Sequence, residues 1–167
     1  MNQALSDESL RKIVEQKVIF RYSVKVHITS FILANIILLI INLIYHPEFL
    51  WVVIPTFGWL IGVAIHYLAY ILYARGVYPM AKRAMWYIIT AYIFGMLFLF
   101  LTNYITLGVI NWALYPALFG GTGVIVYIFI YLIFFRSKLT NSGEKKSKID
   151  KAVEKEMEKL TKNRNNL

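Results

Sequence analysis

The chain contains no cysteine. Disulfides, thiolate nucleophiles, Cys-ligated zinc and iron–sulfur clusters are therefore excluded. Charge is also scarce. Asp, Glu, Lys and Arg make up 16% of the 167 residues and 59% are hydrophobic, whereas soluble domains carry about 25% charge. Glu48 is the only charged residue between positions 26 and 74, and none lies between 84 and 135. No carboxylate pair shares an apolar run, no H-E-x-x-H occurs, and no Gly-rich loop follows a strand pattern, so the expectation is a non-enzymatic protein. Asp7, Glu8 and Glu15 precede any apolar run, so the first 20 residues do not resemble a cleaved signal peptide.

What is present is apolar sequence in four blocks: Val26–Tyr45, Leu50–Tyr73, Trp86–Leu107 and Trp112–Phe135. Each is about the 20 residues needed to cross a hydrocarbon core of about 30 Å. In lipid such runs must be helical to satisfy their own backbone groups, and they lack the alternation of barrel strands. The expected fold is an all-α membrane protein. Its four transmembrane helices form two tandem hairpins, with amphipathic N- and C-terminal helices. The divisions are a head at 1–25, a first hairpin at 26–73, a basic loop at 74–85, a second hairpin at 86–135 and a basic tail at 136–167.

All 18 Lys and Arg fall before the first block, between the second and third, or after the fourth. The positive-inside rule then puts both termini in the cytoplasm, with the cell membrane as the expected location. Trp51, Trp59 and Trp112 read as anchors at the outer interface, and Trp86 as one at the inner interface. The head places Leu10, Ile13, Val14, Val18 and Tyr22 at helical spacing, with Ser6 or Asp7 as a cap, in a helix that either lies on the inner leaflet or runs straight into the first span. The tail does the same with Ile149, Val153, Met157 and Leu160 after a linker at Thr140–Gly143. Ser147 is its expected N-cap with Asp150 three positions on, and Glu154–Lys151 and Glu156–Lys159 are expected pairs. The basic ends point to anionic lipid headgroups as partners. They do not point to nucleic acid, since topology already accounts for the net charge of +9.

A shift of 61 residues superposes the halves without gaps. Asn42 meets Asn103, Trp51 meets Trp112, Pro55 meets Pro116 and Gly62 meets Gly123. The shared N-x8-W-x3-P-x6-G reads as two parallel-repeated hairpins. Each has an Asn able to bond turn backbone and a Pro in a first helical turn or at a kink. Small residues mark expected close helix contacts: Gly58 and Gly62 in the second span, Ala91 and Gly95 in the third, and Ala113, Ala117, Gly121 and Gly123 in the fourth.

Polar side chains inside the spans are His27, Asn35, Asn42, His66 and Asn103, with several tyrosines. His27 and His66 are the candidate cofactor ligands, since imidazole suits haem iron and other transition metals. Counting inward at about 1.5 Å per residue puts His27 about 27 Å below Tyr45 and His66 about 16 Å below Pro55. That gap of about 10 Å is too wide for one metal within a straight hairpin. The plainer expectation is a neutral imidazole bonded to a neighbouring helix. No intramembrane carboxylate or lysine is present for proton pumping or a charged filter.

The first half resembles the 2TM domain family, a paired-helix membrane module. The resemblance runs from Leu10 to Tyr73 through Phe20-Arg21, His27, Asn35, Asn42, the W-x3-P of Trp51 and Pro55, Gly58-Trp59, Gly62 and His66. The second half resembles a diverged copy, with Ile88 and Tyr127 where the histidines would be. The resemblance implies the hairpin fold and no particular activity. The expected function is a membrane scaffold or assembly unit, a homo-oligomer joined through small-residue helix faces. The alternatives are an oligomeric pore, a small-solute permeation path or a membrane-perturbing protein, and further a haem or quinone carrier using His27 and His66.

Overall fold

The computed structural model describes residues 7–77, 80–139 and 145–165. Ser6 and the tail linker at 140–143 fall outside the described residues. Among the described residues four helices are long and apolar enough to cross a membrane. α1 runs Asp7–Tyr45, α2 Val53–Ala74, α3 Met80–Leu107 and α4 Leu114–Ile130, the last passing into a π-helical turn at Tyr131–Phe135. A two-residue antiparallel pair, β1 (Lys138–Leu139) with β2 (Lys145–Lys146), leads into α5 at Lys148–Asn165.

The head and first span are one helix. Residues 7–45 contain neither Gly nor Pro, so nothing interrupts it until Pro47. Its 39 residues span about 58 Å at 1.5 Å each. The whole bilayer with its headgroups is about 40–45 Å thick, so one end of α1 projects from it. One face of that end is covered by α2. Phe20 packs against His66, Tyr70 and Tyr73, and the Tyr73 hydroxyl donates to Gln16 Oε1 at 3.1 Å. Leu10, Ile13, Val14 and Tyr22 of the expected amphipathic face stay exposed.

Turn chemistry sets the helix ends. Gly76 closes α2 at φ 66°. Val77 N–H donates to the Leu72 carbonyl and Gly76 N–H to that of Tyr73, the paired closure that favours glycine at this position. Gly108, at φ 69°, ends α3 with its own N–H donating to the Tyr104 carbonyl. Pro55 and Pro116 each stand third in their helix. There the missing N–H would have had no intrahelical partner, so they start helices and do not kink them.

The helices pack in chain order, each on the next, with α2 against α3 the broadest contact. Among the described residues α1 and α4 share no comparable contact. No more than 6% of any apolar window is buried. The hydrophobic surface of this chain therefore faces outward, toward lipid or other chains.

At α5 the reciprocal cap forms as the spacing predicts. Asp150 N–H donates to Ser147 Oγ at 3.1 Å, and Ser147 N–H donates to Asp150 Oδ2 at 2.8 Å. Glu154 departs from the expected pairing. It binds Lys146 at 2.7 Å and not Lys151; Lys146, on β2, lies just before the Ser147 cap of α5.

Candidate functional site

The α1–α2 and α3–α4 turns are built alike. Asn42 donates from Nδ2 to the carbonyls of His46 and Phe49, both at 2.8 Å, and its Oδ1 accepts Val52 N–H at 2.8 Å. In the second hairpin Asn103 Nδ2 donates to the Val109 carbonyl and to Asn111 Oδ1. Its own Oδ1 accepts Asn111 N–H at 2.9 Å and Ala113 N–H at 3.0 Å. Val52 and Ala113 are themselves 61 positions apart. Both asparagines are 0% exposed. A carboxamide carries an acceptor and two donors on one planar group, which lets one side chain satisfy both directions of a short turn.

Because Asn42 is tied to Val52, these two residues share a level. From that level His27 lies 15 residues back along α1 and His66 14 residues on along α2. Both are about 21–22 Å inward. The separation of about 10 Å expected from the sequence is thus wrong, because it took Tyr45 and Pro55 as the matching ends. His27 Nδ1 and His66 Nδ1 stand 2.9 Å apart. Trp59 Nε1 donates to His27 Nε2 at 2.9 Å, and His66 Nε2 lies 3.4 Å from Ser23 Oγ.

Proton positions follow from the indole, which can only donate. His27 accepts at Nε2, so its own hydrogen is on Nδ1 and points at His66. His66 accepts at Nδ1, so its hydrogen is on Nε2 and points at Ser23. The result is a one-way chain of neutral groups, Trp59 to His27 to His66 to Ser23. Its members recur at helical spacing, Ser23 and His27 on α1 with Trp59 and His66 on α2, and Phe31 stands edge-on to Trp59 at 5.8 Å. Gly62 leaves room for the His27 ring, whose Cε1 would lie 4.0 Å from an added Cβ. One turn further out, the Thr56 hydroxyl lies between Asn35 Oδ1 and the Val52 carbonyl, and Asn35 Nδ2 donates to the Phe31 carbonyl at 2.7 Å.

As they stand the histidines do not fit a metal between them. In a tetrahedral site ligand nitrogens at about 2.0–2.1 Å from the ion are about 3.3 Å apart, each with its lone pair on the ion. Here the Nδ1 atoms are 2.9 Å apart with the His27 hydrogen between them, and both Nε2 atoms are engaged. Trp59 and Ser23 were not legible as members of this chain. Trp59 is expected as an outer anchor, yet its indole turns inward to His27.

The profile of the 2TM domain matches residues 14–77 and, a second time, residues 79–158. Together these cover well over half of the chain. The chain belongs to the 2TM domain family. It carries the 2TM domain twice, and the first match holds the whole histidine chain. No curated protein and no solved structure matches the chain.

The second 2TM copy keeps the asparagine-held turn and loses the polar chain. Ala84, Ile88, Gly120 and Tyr127 stand where Ser23, His27, Trp59 and His66 stand in the first. The loss is compensated in volume. Phe31 corresponds to Tyr92 and Trp59 to Gly120. The Tyr92 ring fills the space of the missing indole, 3.2 Å from where a Gly120 Cβ would be, and its hydroxyl donates to the Ala117 carbonyl at 2.8 Å.

The expected packing glycines divide accordingly. Gly58 faces Phe98, Gly62 faces His27, and Gly120 and Gly121 face Tyr92. Ala113 is buried in its turn. Gly95 and Gly123 meet no atom within 4 Å. Among the described residues neither makes the close contact within the chain that its place in a small-residue row predicts.

Proposed function

We propose that this duplicated 2TM protein is a non-enzymatic membrane module that assembles with further copies of itself. The supporting observation is how its intramembrane polar groups are used. His27, His66, Trp59, Asn35, Thr56, Asn42, Asn103 and Tyr92 all bond within their own hairpin. They lock each helix pair and leave the outward faces apolar, with Gly95 and Gly123 open on them. Assembly through such faces suits the lipid setting, where small residues let helices approach closely. In this reading both termini are cytoplasmic in the cell membrane, and the basic ends lie among anionic headgroups.

Native mass spectrometry of the protein released from nanodiscs tests this. A defined oligomer without a bound small molecule is expected. A strict monomer would overturn the assembly reading. A ring whose liposomes conduct ions would replace it with a pore, and a retained haem or quinone with a carrier.

A further inference from the structure

A cleft of about 150 Å³ lies where the fourth span meets the tail. It is lined by Arg136, Lys146, Lys148 and Lys151, with Ile133 as its apolar wall. The four cations come from three parts of the chain. Arg136 follows the π-helical turn, Lys146 is on β2, and Lys148 and Lys151 are on the first turns of α5. Local structure forces them together. The antiparallel pairing of Lys138 with Lys146 folds the chain back on itself. The Ser147–Asp150 cap then starts α5 at once. Like charges brought this close repel unless something neutralises them. Glu154 pairs with Lys146 at 2.7 Å, and Lys148 lies over the Phe134 ring at 5.8 Å. Asp150 is occupied by Ser147. No described carboxylate pairs with Arg136 or Lys151.

The depth of the cleft narrows the ligand. Arg136 directly follows the apolar segment Leu114–Phe135, so the cleft opens at headgroup level. We propose that it binds the phosphate of an anionic phospholipid, with a phosphomonoester headgroup preferred. An arginine fork recognises a phosphate through paired hydrogen bonds. A monoester near neutral pH carries about 1.5–2 negative charges, matching the cations that Glu154 leaves over. Ile133 faces the acyl side of such a lipid. A zwitterionic choline headgroup would bring its own cation into the cluster. The inference rests on the proposed partnership with anionic headgroups and sharpens it from a diffuse attraction to one site.

The test titrates full-length protein in phosphatidylcholine nanodiscs with phosphatidate and counts retained lipids by native mass spectrometry. One saturable phosphatidate per chain is expected. Arg136→Gln with Lys151→Gln should weaken its retention at least about tenfold. Lys155→Gln with Lys162→Gln removes the same charge away from the cleft and should leave retention within about twofold. Thermal melting of both variants checks that each is folded. Equal losses from the two double variants, with preference for anionic lipid kept in the parent, would overturn the discrete site while leaving the general partnership standing. No preference over phosphatidylcholine in the parent would remove both. If inorganic phosphate alone displaces the lipid at equal concentration, the ligand is a soluble phosphate and the lipid assignment fails.

Discussion

At the residue scale, two asparagines and one glycine account for most of the order in the turns and the second hairpin. Asn42 is fully buried and holds three backbone groups. Each buried polar group left unpaired costs about 1–3 kcal/mol, so Asn42→Ala should lower stability by about 2–4 kcal/mol, read as an earlier thermal transition in detergent. Gly121 has a sharper constraint. A Cβ there would lie 2.7 Å from the Tyr92 hydroxyl oxygen, so Gly121→Ala must swing the tyrosine off the Ala117 carbonyl. Gly123→Ala meets nothing and should melt with the parent. A Gly123→Ala variant as damaged as Gly121→Ala would contradict the arrangement of α3 on α4.

The histidine chain is also a residue-scale matter, and its protons can be read directly. Nitrogen NMR of histidine-labelled protein in bilayers should show His27 neutral with hydrogen on Nδ1 and His66 neutral with hydrogen on Nε2. Trp59→Phe removes the donor that sets this order and should let the pair exchange tautomers. The parts were legible in the sequence, since two histidines and an indole in charge-free spans stand out. Their meeting was not. It depends on which residues are level across the turn, and the Asn42–Val52 bond sets that level, not the ends of the apolar runs.

At the element scale, helix starts and stops were largely readable, because they depend on local chemistry. The tail helix was visible from Ser147, Asp150 and a stripe of apolar residues, and its cap forms as the spacing predicts. Hydrogen bonds from the Ser147 backbone and side chain hold the Asp150 carboxyl below its ordinary 3.8, with Lys146 adding to the effect. A carboxyl lowered in the folded state stabilises above its ordinary value and loses that contribution as pH falls through its lower folded value. Acid titration should therefore fray the first turn of α5 only below about pH 4, seen as loss of helical chemical shifts at residues 148–151. Ser147→Ala should cost α5 about 1 kcal/mol at neutral pH and weaken that acid transition without removing it, since the backbone N–H at 147 still donates to the carboxylate. The continuity of α1 was less visible, because the change from charged to apolar sequence at Val26 suggests a boundary that the backbone, lacking Gly and Pro, does not make.

At the scale of the whole molecule, the four helices form an open series with little buried between them. That follows from composition. Side chains that are apolar all round have no reason to choose the interior over lipid, so only polar and small residues select contacts. Orientation can be tested with unusual clarity because the chain has no cysteine. Glu48→Cys should react with an impermeant maleimide on intact cells. Lys162→Cys should react only after the membrane is opened. Labelling of both from one side would refute the arrangement with both termini in the cytoplasm.

The sequence by itself determined the number of spans, the repeat, the helix caps and the family resemblance. Each of these depends on composition, on residue order along the chain, or on residues within a turn or two of one another. Only the tertiary structure decided which residues meet: His27 with His66, Tyr92 with the space of an absent tryptophan, and four cations around one cleft. Those meetings require the relative heights of separate elements. Heights are set by single bonds in the turns, and periodicity along one helix carries no record of them.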